Sequence, residues 1–524
     1  MAFAMLSIPP SSRSSVTTFA ELPRVSVDAS VPPVTGTSRN AATAAEFATA
    51  LGLSSLGDEI VLTADSVGPI TLTERSGTGW ITIRSNNSGS LPAYGTRVGA
   101  ADSANMRKIT GGGTPVRCVV TSGIAHHYRF IGVEFLAPTT PISTGLIVLG
   151  AFNETLEANL PHHIIFDRCL IRGDATIGCR RGINFGCGTW AAVHCYIGDM
   201  KESGADSQAI LCYNSPGPGL IWNCFLEGAG ENVMFGGGDP TVTNMIPSDI
   251  ELRGNYFYKP TAWVGSGWTV KNHFELKMGV RILLHRCQFS NMWAAAQAYS
   301  VNIKVANQDG TATWAATNNV TLSHNKFTNV ENGIVLNAKD PGTSLALHHA
   351  LVENNIFEIE NVTAVADYRG FMVLGLETDG IGPMDIAFRH NTWANRSGVS
   401  GQAAYIEAYA VDVMDRLYFE NNAIYAGTTD IDGPVVAAGQ PTFDRWSITN
   451  SVINNAIIGS TATYGASNIK PVDVAAMKYT DHAARNYILA SDSPGKNAAS
   501  DGVDMGASVA LVESYAASAV AGTG

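Results

Sequence analysis

Short apolar stretches that break at one abrupt corner recur along most of this chain. That recurrence limits its fold more than any other feature. Examples are "HYRFIGVEFLAP", "HIIFDRCLIRGD", "WAAVHCYIGDM", "GLIWNCFLEGAG", "DIELRGNYFYKP", "NVTLSHNKFTNV" and "RLYFENNAIYAG". In each, two strands of a few residues meet at a small residue and then run into turn residues. The corner column reads Val133, Cys169, Cys195, Cys224, Asn255, Cys287, Asn325, Asn355, Asn391, Asn422 and Ser451. Successive corners are separated by as few as 26 residues, Cys169 to Cys195, and as many as 38, Cys287 to Asn325. A repeat of about thirty residues with no helical period cannot bury its apolar side alone, so each turn must stack on the last. The expectation is an all-β solenoid of roughly thirteen coils, its strands paired in parallel about 4.8 Å apart.

The corner residue types have a physical reason. A corner leaves backbone N–H and C=O groups that the strands do not use, and stacked Asn side chains satisfy them in a ladder. Cys is a compact hydrophobe suited to the same slot where no amide is needed. Stacked cysteines about 4.8 Å apart have parallel Cβ vectors and sit wider than a disulfide prefers. With no CxxC pair, the eight cysteines read as buried free thiols.

Composition agrees. The 524 residues are 45% hydrophobic and 15% charged, with a formal charge of −12, which argues against nucleic acid held on a cationic face. No apolar run is long enough to span a bilayer. The opening "MAFAMLSIPPSSRSSVTTF" has no basic residue before its apolar ones and soon meets prolines, so it does not read as a Sec signal. The organisation expected is an arm at 1–40, a capping-helix region at 41–57, the solenoid at 58–490 and a tail at 491–524. "AATAAEFATALG" supplies the helix, which would cover the open edge of the first coil.

The layout from that helix to "SPGKNAASDGVDMGA", with "GDEIVLTA", "WITIRS", "GAGENVMFGGGDP" and "HFELKMGVRILLHRCQFSNMW", resembles the pectate-lyase-like superfamily. The resemblance implies a single-stranded right-handed parallel β-helix. It implies no single activity, since the superfamily holds polysaccharide lyases, glycoside hydrolases, phage tailspike depolymerases and adhesins. The WIDH and RxPxxR segments of pectate lyases and the paired aspartates of polygalacturonases are absent from this chain.

Strand alternation selects a candidate site. "ENVMFGGG" puts Val233 and Phe235 inside and Asn232 and Met234 outside. "NHFELK" buries Phe274 and Leu276 and exposes His273, Glu275 and Lys277. "SVNIKV" exposes Asn302 and Lys304, "SQAILCY" exposes Gln208, and "GIVLN" exposes Val335. These assignments depend on register, because a slip of one residue reverses them all. In this register Lys277, Glu275, Arg281 and Asp239 form the catalytic candidates, and Asn232, His273, Asn302 and Lys304 the substrate-binding ones. Cations neutralise a sugar-acid carboxylate, amides hold hydroxyls, and a positioned base removes the proton α to the carboxylate. A hydrolase would instead pair Glu275 with Asp239 or Glu231. A solvated ladder of charges is the competing reading of the same residues.

No metal site is assigned and no cofactor is identified, with Ca2+ the one kept open. The His pairs 126/127, 162/163 and 348/349 recur at one rung position, and stacking of polar rings at a strand start is preferred there over a metal site. Trp263, Trp268, Trp293 and Trp314 are either sugar platforms or packing residues. Three function classes compete: a polysaccharide-degrading β-helix, lyase first and hydrolase second; a virion tailspike or tail-fibre component; and a structural or adhesive solenoid. The partners expected are a polysaccharide and, in the tailspike case, virion proteins or a homotrimer, with neither nucleic acid nor membrane. A virion or extracellular location follows, since free thiols suit folding in a reducing compartment and lysis needs no signal.

Overall fold

The computed structural model describes residues 19–139, 143–340, 344–360, 362–363, 368–374, 382–396, 401–407 and 414–524. Three parallel sheets of 14, 13 and 12 strands, here the first, second and third, wind around one apolar interior. One coil shows the path. Gly219–Trp222 lies in the first sheet, Phe225–Gly228 in the second and Glu231–Phe235 in the third, and Ser248–Arg253 then opens the next coil. Each strand pairs with the same strand of the next coil, as in Leu220 with Glu251 and Val233 with Phe274. This is a right-handed parallel β-helix. Like residues therefore stack on like. The rings of Phe257, Phe289, Phe327 and Phe357 follow one another at 4.4 Å, within 14° of parallel.

The corner column is real, and its conformation explains it. The residue before each member has positive φ: Arg168 (49°), His194 (56°), Asn223 (51°), Gly254 (61°), Asn354 (54°) and Asn421 (62°) among them. This left-handed step turns the chain sharply, and Gly, Asn and other polar residues tolerate it best. The following side chain then points inward. Asn325, Asn355, Asn391 and Asn422 are fully buried, and each backbone N–H donates to the amide oxygen of the next: 2.9, 3.1, 2.9 and 2.9 Å. The ladder runs on through Asn455, which corrects the expected Ser451, to Asn468, whose amide oxygen accepts from the Asn455 N–H at 3.0 Å. Ser451 pairs with Tyr418 inside a first-sheet strand, whereas Asn455 follows Asn454 (φ 54°) and accepts from Asn422. All eight cysteines are buried free thiols, and the Cys169 N–H points to Cys195 Sγ at 3.4 Å. Burial pushes Cys212 and Cys287 up to about 12, so they are unreactive hydrophobes at neutral pH.

The helix expected over 41–52 runs Ala44–Leu53. Thr43 caps it by accepting from the Glu46 N–H, Glu46 reaches back to the Ala42 N–H, and Phe47, Ala50 and Leu51 close the first coil. Phe19 to Thr37 run back along the outside of the first sheet. The Phe19 ring sits 4.6 Å from Tyr418, the Arg24 N–H donates to Asp249, and Ala29 and Ser30 accept from Arg129. At the far end a helix, Val509–Ala521, forms where the sequence suggested only a small polar tail. It lies on the second sheet, with Glu513 paired to Lys326 at 2.8 Å and the Ala519 and Val520 carbonyls capped by Arg97. No helix among the described residues is long and apolar enough to cross a membrane.

Candidate functional site

The outer face of the third sheet carries three aligned rows. Phe235, Leu276 and Ile303 are in register in the core, so the exit row after them reads Tyr213, Gly236, Lys277 and Lys304. The central row is Asn184, Leu211, Met234, Glu275, Asn302 and Val335. The entry row is Arg181, Gln208 and Glu231, joined from the next coil by Lys271. The strand parity expected from the sequence therefore holds for Glu275, Lys277, Asn302 and Lys304, which lie together on two successive coils.

Exposure is where the expectation fails. Glu275 is fully buried, and Met234, Val335 and Gln208 are buried too, although all point away from the interior or sit at the strand's entry. Loops fold over this face. Tyr299 reaches Met372, the next member of the central row, and Gln308 Oε1 accepts from Lys277 Nζ at 3.1 Å. The three glycines 236–238 make the closest part of this cover. A Cβ on Gly236 (φ 107°) would stand 2.7 Å from Lys277 Cβ, and one on Gly237 (φ 83°) 2.4 Å from Met234 Cε. Only glycine permits both the backbone conformation and the approach.

Under this cover Asn302 Nδ2 donates to Glu275 Oε1 at 3.1 Å, and Lys277 Nζ is 3.9 Å from the same oxygen. Glu275 Oε2 is buried without a hydrogen-bond partner. Lys304 pairs with Asp340 at 2.9 Å. In the entry row Arg181 Nε donates to Gln208 Oε1 at 2.9 Å, and Gln208 Nε2 donates to Glu231 Oε2 at 2.6 Å. Lys271 bridges Asp206 at 2.7 Å and Glu231 at 3.9 Å. Burial and the nearby Glu275 carboxylate push the Glu231 carboxyl well above the usual range. Lys277, Lys304 and Lys271 keep 13%, 16% and 19% of their side chains exposed beside the closed carboxylates.

The remaining candidates lie elsewhere. Asn232 and His273 are fully buried and turn inward at the corner between the second and third sheets. Asn232 Nδ2 donates to the Leu226 and Tyr258 carbonyls, and His273 Nε2 meets the Ser290 carbonyl at 3.1 Å. Burial, then the nearby Lys259, holds His273 well below the usual histidine range. Alternation placed them outside, but the residue just before Val233 and Phe274, which are partners in register, still belongs to the corner. Asp239 holds two loops together: Oδ2 accepts from the Thr311 N–H, the Thr311 hydroxyl and the Ala312 N–H. Burial works against its charge, and these bonds outweigh that, leaving its carboxyl below the usual range. Arg281 belongs to the first sheet, where it grips Asp249 at 2.7 and 2.8 Å. It therefore lies on a different face from Glu275. Trp263 and Trp293 are buried against Ala229 and Val270, and Trp314 donates to the Met245 carbonyl, so these rings serve as loop packing.

Two residues that the sequence reading passed over adjoin the rows. Arg181 begins the strand Arg181–Phe185, and its signal was the polar run at one strand-entry position in successive coils. Tyr213 packs at 4.9 Å against Phe152 and borders Gly238. Nothing in its local sequence marks it. Among the described residues the one grouping of three metal-ligating side chains is His127, His162 and His163, whose nitrogens are not calcium ligands.

No protein-family model and no curated protein sequence matches the chain. Solved structures with a similar course include the PL6 family alginate lyase AlyGC, at 11% identity and TM-score 0.47, covering 89% of this chain and 58% of that one. A mannuronic-acid-specific family 6 lyase from human gut microbiota aligns at 11% identity and TM-score 0.45, over 83% and 91% of the two chains. The Dettilon tailspike protein aligns at 12% identity and TM-score 0.36, over 81% and 62%. The chain thus spans little more than half the length of AlyGC. Likeness at this level carries no argument about activity, which must rest on the residues themselves.

Proposed function

We propose that the protein binds an acidic polysaccharide across the third sheet and cleaves it by β-elimination, with Lys277 as the group that meets the sugar. The observation that carries this reading is the set of cations Arg181, Lys271, Lys277 and Lys304 on one face, over carboxyls closed off beneath them. Coils stack about 4.8 Å apart, so Lys277 and Lys304 fall within reach of one sugar unit or its neighbour. Lys277 either neutralises a uronate carboxylate or takes the proton α to it, and Glu275 beneath holds the ammonium in place. A hydrolase reading is weaker here, because Glu231 and Glu275 are both closed to a substrate by their cover. The location that follows is outside the cell or on a virion, where glycans lie.

A non-enzymatic solenoid is the second reading, favoured by one feature: Lys277 and Lys304 already have the side-chain partners Gln308 and Asp340. Incubation with a panel of acidic polysaccharides separates the two. An ultraviolet-absorbing unsaturated product is the outcome expected of a lyase, reducing ends without that absorbance indicate a hydrolase, and neither product leaves the solenoid reading. In a lyase, Lys277→Ala should lower turnover on the order of 10²-fold or more while the melting temperature hardly moves. Full activity in that variant would place the chemistry elsewhere.

A further inference from the structure

Two successive coils each open their first-sheet strand with a His–His pair, His126–His127 in the strand His126–Ile131 and His162–His163 in His162–Asp167. In an ordinary strand, neighbouring side chains point to opposite faces. Here the second member of each pair has positive φ, 56° at His127 and 54° at His163, which swings both rings to one side. Within each pair the Nδ1 atoms approach to 2.9 and 2.7 Å. Parallel register then stacks the pairs, with His126 over His162 at 5.0 Å and His127 over His163 at 4.4 Å, the rings within 6° of parallel. One nitrogen each from His127, His162 and His163 lies within 4.8 Å of the others.

We propose that His127, His162 and His163, with His126 stacked beside them, form a binding site for a divalent transition cation of the kind that prefers imidazole, for which Zn2+ is the probe. Zn–N bonds of about 2.0–2.1 Å in a tetrahedron put ligand nitrogens roughly 3.3–3.4 Å apart. The pairs need to open slightly from 2.7–2.9 Å, and the nitrogens of the two coils to draw together by up to about 1.5 Å. The surroundings suit this. Trp80 stands edge-on to His127 at 5.1 Å and to His163 at 6.2 Å, walling one side. On the other side His162 is in register with Gly188, which has no side chain to fill the space. All four rings are half-buried, which leaves a route for an ion. A bound cation would pin the two coils together at the first-sheet edge.

The third pair, His348–His349, serves as an internal control. Its Nδ1 atoms also meet, at 2.6 Å, with φ 56° at His349. Its neighbours in register, however, are Asn318 and Met384, so no second pair faces it. His349 instead has Asp385 at 3.4 Å, and that carboxylate is held by Arg416 at 2.8 Å. The same dipeptide thus yields two ring donors there and three gathered ones at the proposed site.

Titration calorimetry of the full chain with Zn2+, with visible absorption on Co2+ substitution, tests the proposal. The wild type should bind one Zn2+ per chain with a rise in melting temperature, and Co2+ should give the strong visible bands of a tetrahedral nitrogen site. His163→Asn should weaken Zn2+ by at least about tenfold and lose the thermal gain, while its melting temperature without metal stays near that of wild type. His349→Asn should bind as wild type does. If His163→Asn fails to fold, His162→Asn takes its place with the same expectation. No isotherm in the wild type, equal affinity in His163→Asn, or loss of binding in His349→Asn alone would each overturn the assignment.

Discussion

Glu227 shows how one side chain in this interior carries a pH signature. It sits on the second sheet, 8% exposed, and accepts from the Asp199 N–H at 2.8 Å. Burial and the Asp199 charge raise it from 4.5 to about 7, against the pull of that bond and of Lys201 and Lys259. A carboxyl raised in the folded state binds its proton more tightly there than in the unfolded chain. Its contribution to stability is therefore complete below 4.5 and is lost as pH rises through about 7. Glu227→Gln keeps the acceptor for Asp199 and removes the titration. The variant should gain on the wild type between about pH 5 and about pH 8, read as the difference in urea midpoints at the two values. Parallel pH profiles for the two proteins would contradict this account.

The corner ladder and the two ends work as elements. Asn325 accepts from the Cys287 N–H at 3.0 Å and donates to the Leu284 carbonyl at 2.9 Å, both in the dry interior. Asn325→Leu strands those groups, at a cost of roughly 1–3 kcal/mol. Chemical denaturation checks it, and an unchanged midpoint would remove the ladder as a source of stability. The helix Ala44–Leu53 covers the open edge of the first coil, as its amphipathic pattern indicated. The helix Val509–Ala521 does different work. It lies along the side of the second sheet, burying Val509, Val512, Ala516 and Ala519. Its small residues carry so weak an apolar stripe that the segment passed for a polar tail.

Across the whole molecule, stacking makes each coil's stability a matter of its two neighbours. It also keeps the thiols apart, because a column of cysteines is spaced by the strands and not by sulfur chemistry. The chain unfolded without reductant should therefore titrate eight free thiols, with electrophoretic mobility unchanged by reduction. A reductant-sensitive band would show that two columns approach more closely than their spacing allows. The first and third sheets also divide the charged groups. Arg281 and Asp249 face the N-terminal segment on one, while Glu275 and Lys277 lie under loops on the other.

The coil, the corner column and the side on which Glu275, Lys277, Asn302 and Lys304 fall were legible in the order of the residues. Alternation along a strand and the conformation of a corner are local properties, set within a few bonds, and a thirty-residue period multiplies them into an architecture. Ser451 was misread for Asn455 because both follow an apolar strand and an Asn, and only pairing with the coil before tells which one turns. Burial was not legible. Whether Glu275 meets solvent depends on Tyr299, Gln308 and three glycines from other coils, and whether His273 faces outward depends on where its strand leaves the corner. Arg281 lies only four residues beyond Lys277 yet on another sheet, since one turn of the chain carries it to a different face. Contacts between residues distant in sequence set these features, and a pattern read along one strand contains no information about what packs across it.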